Sequence, residues 1–139
     1  MATQKIEYVI PPASKQFCEA IRFAEGVKVG NTLYLAGQVG WNPETGKVVE
    51  GGLPEQVRRA FLNMKTVIEQ VGGKMDDIVQ LMMFVVDTGS GKSLMDELGV
   101  VFEIKKEFVP KGMPCGTAVR VKGLALPELL VELQAVVAL

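Results

Sequence analysis

The sequence predicts an α+β fold: a mixed six-stranded sheet with two helices packed on one of its faces. Three observations carry that prediction. Pro54 to Val71 and Ser93 to Phe108 each repeat apolar residues at three- and four-residue steps, the period of a helix with one buried stripe. Between them Ile78 to Val86, IVQLMMFVV, is an almost unbroken apolar run of strand length. After them Pro114 to Leu139 alternates polar and apolar residues in two bouts, the period of half-buried strands.

Taken in order, Lys5 to Ile10 reads as a short strand stopped by Pro11-Pro12. Cys18 to Ala24 and Val27 to Gly40 read as extended segments, with Gly30-Asn31 as a tight turn. WNPETGK, Trp41 to Lys47, is rich in turn formers and reads as a loop. In the first helix Val57, Phe61, Met64, Ile68 and Val71 form the stripe, Pro54 suits the first turn, and Gly72-Gly73 suits the stop. The IVQLMMFVV run needs neighbours on both sides, which makes it a central strand. Ser93 caps the second helix, Asp96 and Glu97 suit its first turn, and Leu94, Leu98, Val101, Ile104 and Phe108 form its stripe.

At 139 residues and 48% hydrophobic, the chain is one domain, 1–139, with enough apolar sequence for a proper core. Its 15 basic and 16 acidic residues are scattered without blocks, which argues against a nucleic-acid or membrane partner. Met1 to Lys15 lacks the apolar core of a secretory leader, and two cysteines make no disulfide scaffold; a cytoplasmic setting is expected. The chain has no histidine. That removes the commonest general base and metal ligand, so no metal and no cofactor are expected, and acid–base work falls to Glu, Asp, Lys, Tyr, Cys or water.

VVDTGSGKS, Val85 to Ser93, has the strand-to-helix setting of a phosphate loop. The glycine the motif needs five residues before Gly91 is Val86, inside the strand, so nucleotide hydrolysis is set aside and Ser93 stays a helix cap.

In the last strand Val131, Leu133, Ala135 and Val137 share one face while Glu132 and Gln134 share the other. With a turn centred near Leu126, Arg120 is expected opposite Glu132 and Ala118 opposite Gln134. Ala36, Ala118 and Val136 would be poorly served by water on that face. Oligomerisation through it, in a closed symmetric ring, is the economical answer.

GNTLYLAGQVG (Gly30 to Gly40), the long helix, IVQLMMFVVD and PCGTAVRVKGLALPELLVELQAVV together resemble the Rid family, the reactive intermediate deaminases also known by the YjgF name. The resemblance runs from about Ile21 to the C-terminus and implies the YjgF-like, chorismate-mutase-like fold and a homotrimer with sites between subunits. In deaminase members an arginine grips the carboxylate of an imino acid and a glutamate positions the water that hydrolyses its C=N bond. By position the resemblance implies Glu132 as that glutamate, Ala36 and Gly37 as the turn offering backbone N–H groups, and Phe23 as the aromatic that closes the pocket, with Thr117 shaping it.

The arginine position falls on Gly116, and Ala36, Phe23 and Ala118 stand where the deaminases carry serine, tyrosine and cysteine. A glycine offers no guanidinium fork, so ordinary 2-iminocarboxylates are not the expected substrates. Arg120 is the candidate replacement, with a plain cross-strand ion pair to Glu132 as its other reading; Arg22 is a weaker candidate. Cys115 reads better as a small buried apolar residue than as a nucleophile. Two functions remain open: imine or enamine hydrolysis on a small metabolite, or a non-catalytic metabolite-sensing or protein-binding trimer. Ribonuclease or translation-inhibitor activity, also ascribed to this family, is third.

Overall fold

The computed structural model describes residues 3–139. In chain order the elements are β1 (Ile6–Val9), α1 (Lys15–Ile21), β2 (Gly26–Val29), β3 (Thr32–Leu35), β4 (Gln38–Val39), β5 (Trp41–Asn42) and β6 (Lys47–Val48), then α2 (Gly52–Gln70), β7 (Ile78–Val86), α3 (Leu94–Phe108), β8 (Cys115–Val121) and β9 (Val131–Ala138). One sheet runs in the order β1-β2-β3-β9-β7-β8, and short β4 also pairs with β9. The expected six strands are therefore joined by a seventh. All pairings are antiparallel except β7 with β8, which α3 connects by a crossover, so the sheet is mixed.

The core lies between this sheet and the helix pair α2 and α3. From α2, Val57, Phe61, Met64 and Ile68 are buried on Leu33, Leu35, Leu133 and Val137. From α3, Leu98, Val101 and Ile104 cover Leu81, Met83 and Val85, and the rings of Phe61 and Phe108 stack with centroids 5.3 Å apart. Ser93 caps α3 as expected, its hydroxyl accepting the N–H of Asp96 at 3.1 Å.

Three local readings are corrected. Cys18 to Ala24 is not extended: Lys15–Ile21 is helical, ending at Arg22 in the left-handed region. Lys, Gln, Glu and Ala are good helix formers, and two turns are too short for a stripe to register. WNPETGK is a small hairpin, with Trp41 opposite Val48 and Asn42 opposite Lys47. Most consequentially, β8 and β9 are not neighbours. β7 lies between them, with Met83 flanked by Ala118 and Leu133 and Val85 flanked by Arg120 and Val131. A nearly all-apolar strand gains most from two neighbours, and the 122–130 connection passes from one to the other. Among the described residues no helix is long and apolar enough to cross a membrane.

Candidate functional site

The alternation of β9 decides which groups reach which side. Val131, Leu133, Ala135 and Val137 are buried under the helices, so Glu132, Gln134, Val136 and Ala138 project from the open face. The same parity on β7 sends Met82, Phe84 and Val86 to that face, and on β8 sends Thr117 and Val119 there. Ile6, Tyr8 and Tyr34, each more than half exposed, extend the apolar surface across β1 and β3.

Glu132 is a half-buried carboxylate in this apolar setting. Its strand neighbours are Val39 on one side and Phe84 on the other, with Val119 beyond Phe84. Burial pushes its carboxyl above the ordinary glutamate value, and no charge or hydrogen bond offsets that cost. The carboxylate lies directly against the backbone of Gly37: any Cβ at that position would run into Glu132 Oε1. Glycine is what allows the approach.

The Ala36–Gly37 bend is itself clamped. The Ala36 N–H donates to the carbonyl of Glu25 at 2.9 Å. The buried Gln38 donates from Nε2 to Glu25 Oε2 at 2.9 Å and to the Ala36 carbonyl at 3.4 Å. Sequence reading missed this Glu25–Gln38 clamp; the one signal was an amide set inside an otherwise apolar run, LYLAGQV. It also missed Gln56, whose side chain accepts the N–H of Leu130 at 2.8 Å and donates to the carbonyl of Glu128 at 2.9 Å, tying the 122–130 connection to α2.

The remaining candidates separate. Gly37 meets Glu132 within one chain, with Ala36 the residue before it. Thr117 shares its face but lies across β7, level with Met82 and Gln134. Phe23 follows α1, 40% exposed, with the ring of Phe17 edge-on at 6.4 Å. Arg22, just before it, is the left-handed cap of α1 rather than a strand residue.

Arg120, Ala118 and Gly116 belong to the helix side of the sheet, so the expected Arg120–Glu132 and Ala118–Gln134 pairings do not exist. Arg120 donates to Glu97 Oε1 at 3.0 Å, to the Val86 carbonyl at 3.3 Å and to the Lys92 carbonyl at 3.1 Å. Its charge is fully engaged in holding α3 and the loop before it. Ala118 packs against the core. Cys115 is exposed rather than buried, its thiol donating to the Val79 carbonyl at 3.4 Å. Cys18 is the buried cysteine, and burial pushes its thiol up.

Two cavities lie elsewhere. One of about 460 Å³ opens between Lys65, Lys74 and Glu107, and one of about 210 Å³ lies between α3 and the start of β8; neither is lined by Glu132. Among the described residues no three of His, Cys, Asp or Glu group so as to hold a metal ion. The chemistry on offer at the open face is that of one unpaired carboxyl of raised pKa, a glycine backbone and apolar walls.

A family model described as Endoribonuclease L-PSP matches residues 14–139, somewhat more of the chain than the sequence landmarks covered. A RutC family protein of Pyrococcus abyssi is 29% identical over 114 residues, 82% of this chain and 84% of that protein. A 2-iminobutanoate/2-iminopropanoate deaminase of Dermatophagoides farinae is 33% identical over 102 residues, 73% of this chain and 74% of that protein. The crystal structure of RidA from an Antarctic Psychrobacter superposes with a TM-score of 0.73 at 29% identity, covering 84% of this chain and 88% of that one.

Proposed function

The chain belongs to the Endoribonuclease L-PSP family, which takes in the YjgF and Rid proteins, and on that premise we propose that it is a homotrimer with small-metabolite sites between subunits, in which Glu132 directs water onto an imine or enamine. The observation that carries this reading is the unpaired, half-buried Glu132 against the Gly37 backbone on an uncovered apolar sheet face. A face bearing Ile6, Tyr8, Tyr34, Met82, Phe84 and Val119 is costly to leave in water, and identical copies covering one another remove that cost.

In the proposed reaction a water proton passes to the Glu132 carboxylate as the water oxygen attacks the C=N carbon. Glu132 returns that proton to nitrogen to give a carbinolamine, then takes the proton of its hydroxyl and passes it to nitrogen as the C–N bond breaks, so that a carbonyl compound and ammonia leave. A carboxyl whose pKa is raised by burial is a better base than an ordinary glutamate. The Gly37 backbone would polarise the substrate, and Phe23, Ala36 and Thr117 would shape the pocket. Gly116 supplies no guanidinium, so the expected substrates are imines or enamines that carry no carboxylate beside the C=N carbon.

The test is ammonia release from 2-iminopropanoate and from imines and enamines lacking that carboxylate. Wild-type protein is expected to leave the first at its background rate and accelerate one of the others, with Glu132→Gln abolishing the gain. Acceleration that survives Glu132→Gln would sink the assignment. The second reading, a metabolite-sensing or protein-binding trimer without catalysis, is favoured by the bare side chains of Ala36 and Phe23. It predicts no acceleration of any substrate by a protein that still binds ligands at the open face.

A further inference from the structure

On the function proposed above, the groups around Glu132 choose which imine it meets, and they carry no positive charge. Of the other charged residues in the sheet, Glu7 and Lys28 share a row with buried Leu33, and Arg120 packs under α3. All three belong to the helix side, so Glu132 is alone as a charge on the open face of the sheet.

What the open face offers instead is uncharged hydrogen-bonding groups. Gln134 stands two residues beyond Glu132 on the same side of β9, about 7 Å along the strand. It is exposed, in a row with Met82 and Thr117, while Glu132 is in the next row with Phe84 and Val119. Beyond Gln134, Tyr34 and Gln80 flank Val136. Gln38 pairs opposite Leu133, the residue between Glu132 and Gln134, so the Ala36–Gly37 bend runs alongside this stretch of β9.

Three other glutamines use their amides to hold the chain together. Gln38 donates to Glu25 and Ala36, Gln56 bridges to Glu128 and Leu130, and Gln70 donates to the Ile10 carbonyl at 3.3 Å. Gln134 has no such side-chain partner among the described residues. It nevertheless stands in mid-strand, where a β-branched or aromatic residue would suit the sheet better. An amide in that place is available to a molecule outside the chain.

We infer that Gln134 selects the substrate, and that the substrate is the imine of a 2-oxo carboxamide. A guanidinium fork presents donors only and fits the two acceptor oxygens of a carboxylate. A glutamine amide presents donor and acceptor side by side, which fits a primary carboxamide. The Gln134 N–H donates to the ligand carbonyl, and the ligand N–H donates to the Gln134 oxygen. A carboxylate ligand would bring a second negative charge beside Glu132 with no cation to offset it. The amide carbon of such a substrate is bonded directly to its C=N carbon, so holding the amide at Gln134 sets the imine towards Glu132. The spacing of about 7 Å leaves room for that carbon and one water between the two side chains. Hydrolysis takes up one water, releases one ammonia and leaves the carboxamide intact.

The test uses two probes that mimic the products, pyruvamide and pyruvate, titrated into the full-length protein and followed by NMR. Pyruvamide is expected to bind saturably, shifting the Gln134 side-chain amide and the Gly37 backbone amide, with pyruvate about tenfold weaker or more. Gln134→Leu should weaken pyruvamide about tenfold, and Gln80→Leu, which removes the neighbouring amide, should leave it unchanged. Pyruvate that binds as well as pyruvamide, or pyruvamide that binds Gln134→Leu as well as wild type, overturns the assignment. So does a Gln134→Leu protein that scatters light as a smaller assembly than wild type, because the amide would then serve contact between copies. Binding that depends on Gln134, without ammonia release from 2-iminopropanamide, would sink the chemistry at Glu132 and leave the recognition standing. Ammonia release from other uncharged imines, with no pyruvamide bound, would do the reverse.

Discussion

Arg120 and Glu132 carry opposite charges on opposite faces of the same sheet, and their surroundings differ as much as their sign. Arg120 meets three acceptors from α3, β7 and the loop between them. Glu132 meets a glycine backbone and apolar neighbours, and bears an uncompensated cost of burial. A charge that serves the fold is given partners by the fold, because leaving it bare is expensive. One left without partners, against a glycine that leaves room for it, fits the proposed role of facing something outside the single chain.

Mutation can break this contrast, and the largest effect is expected at Arg120. Arg120→Met leaves the nearly buried Glu97 unpaired and should cost about 2–3 kcal/mol in urea unfolding. Adding Glu97→Met should recover most of the loss, and a double mutant no better than the single would show that the pair is not the source. Gly37→Ala comes next: a methyl aimed at the Glu132 carboxylate should cost about 1–2 kcal/mol and displace that side chain. Restoring room with Gly37→Ala and Glu132→Ala together should regain stability but not activity. Ser93→Ala, which removes only the α3 cap, should cost about 1 kcal/mol and leave chemistry at Glu132 untouched.

The smallest effect sharpens the contrast most. Because burial raises the folded-state pKa of Glu132, the folded protein holds that proton more tightly than the unfolded chain does. Stability is therefore lost as pH rises from the unfolded to the folded pKa, the reverse of a paired carboxylate. Glu132→Gln should raise Tm at neutral pH by roughly 1–2 °C, with the difference vanishing at pH values below about 4, where both states are protonated. A fall in Tm at neutral pH would mean that Glu132 has a stabilising partner after all.

Much of the fold was legible in the sequence because it is written in local periodicity. β7 spans Ile78–Val86, the apolar run itself, and α3 starts after its Ser93 cap. Glu132 was legible for the same reason, as an acid breaking a strand of valine and leucine. What was not legible is the order of strands in space. Adjacency along the chain suggested a β8–β9 hairpin, whereas the parallel crossover through α3 brings β8 to one edge of β7 and leaves the other to β9. That one exchange moved Arg120 from the face of Glu132 to the far side. The Glu25–Gln38 clamp and the Gln56 bridge were hidden for a related reason: each joins residues whose partnership exists only once the strands are placed.

The account turns on whether Glu132 looks into a crevice between copies or into open water. Light scattering on the purified protein at micromolar concentration tests this most directly. It should return three times the mass of one chain, with a charge set into the open face, Val119→Lys, shifting the protein towards single chains and removing any ammonia-releasing activity. A wild-type mass of one chain, stable on concentration, would leave that carboxylate facing bulk solvent and contradict the proposed site.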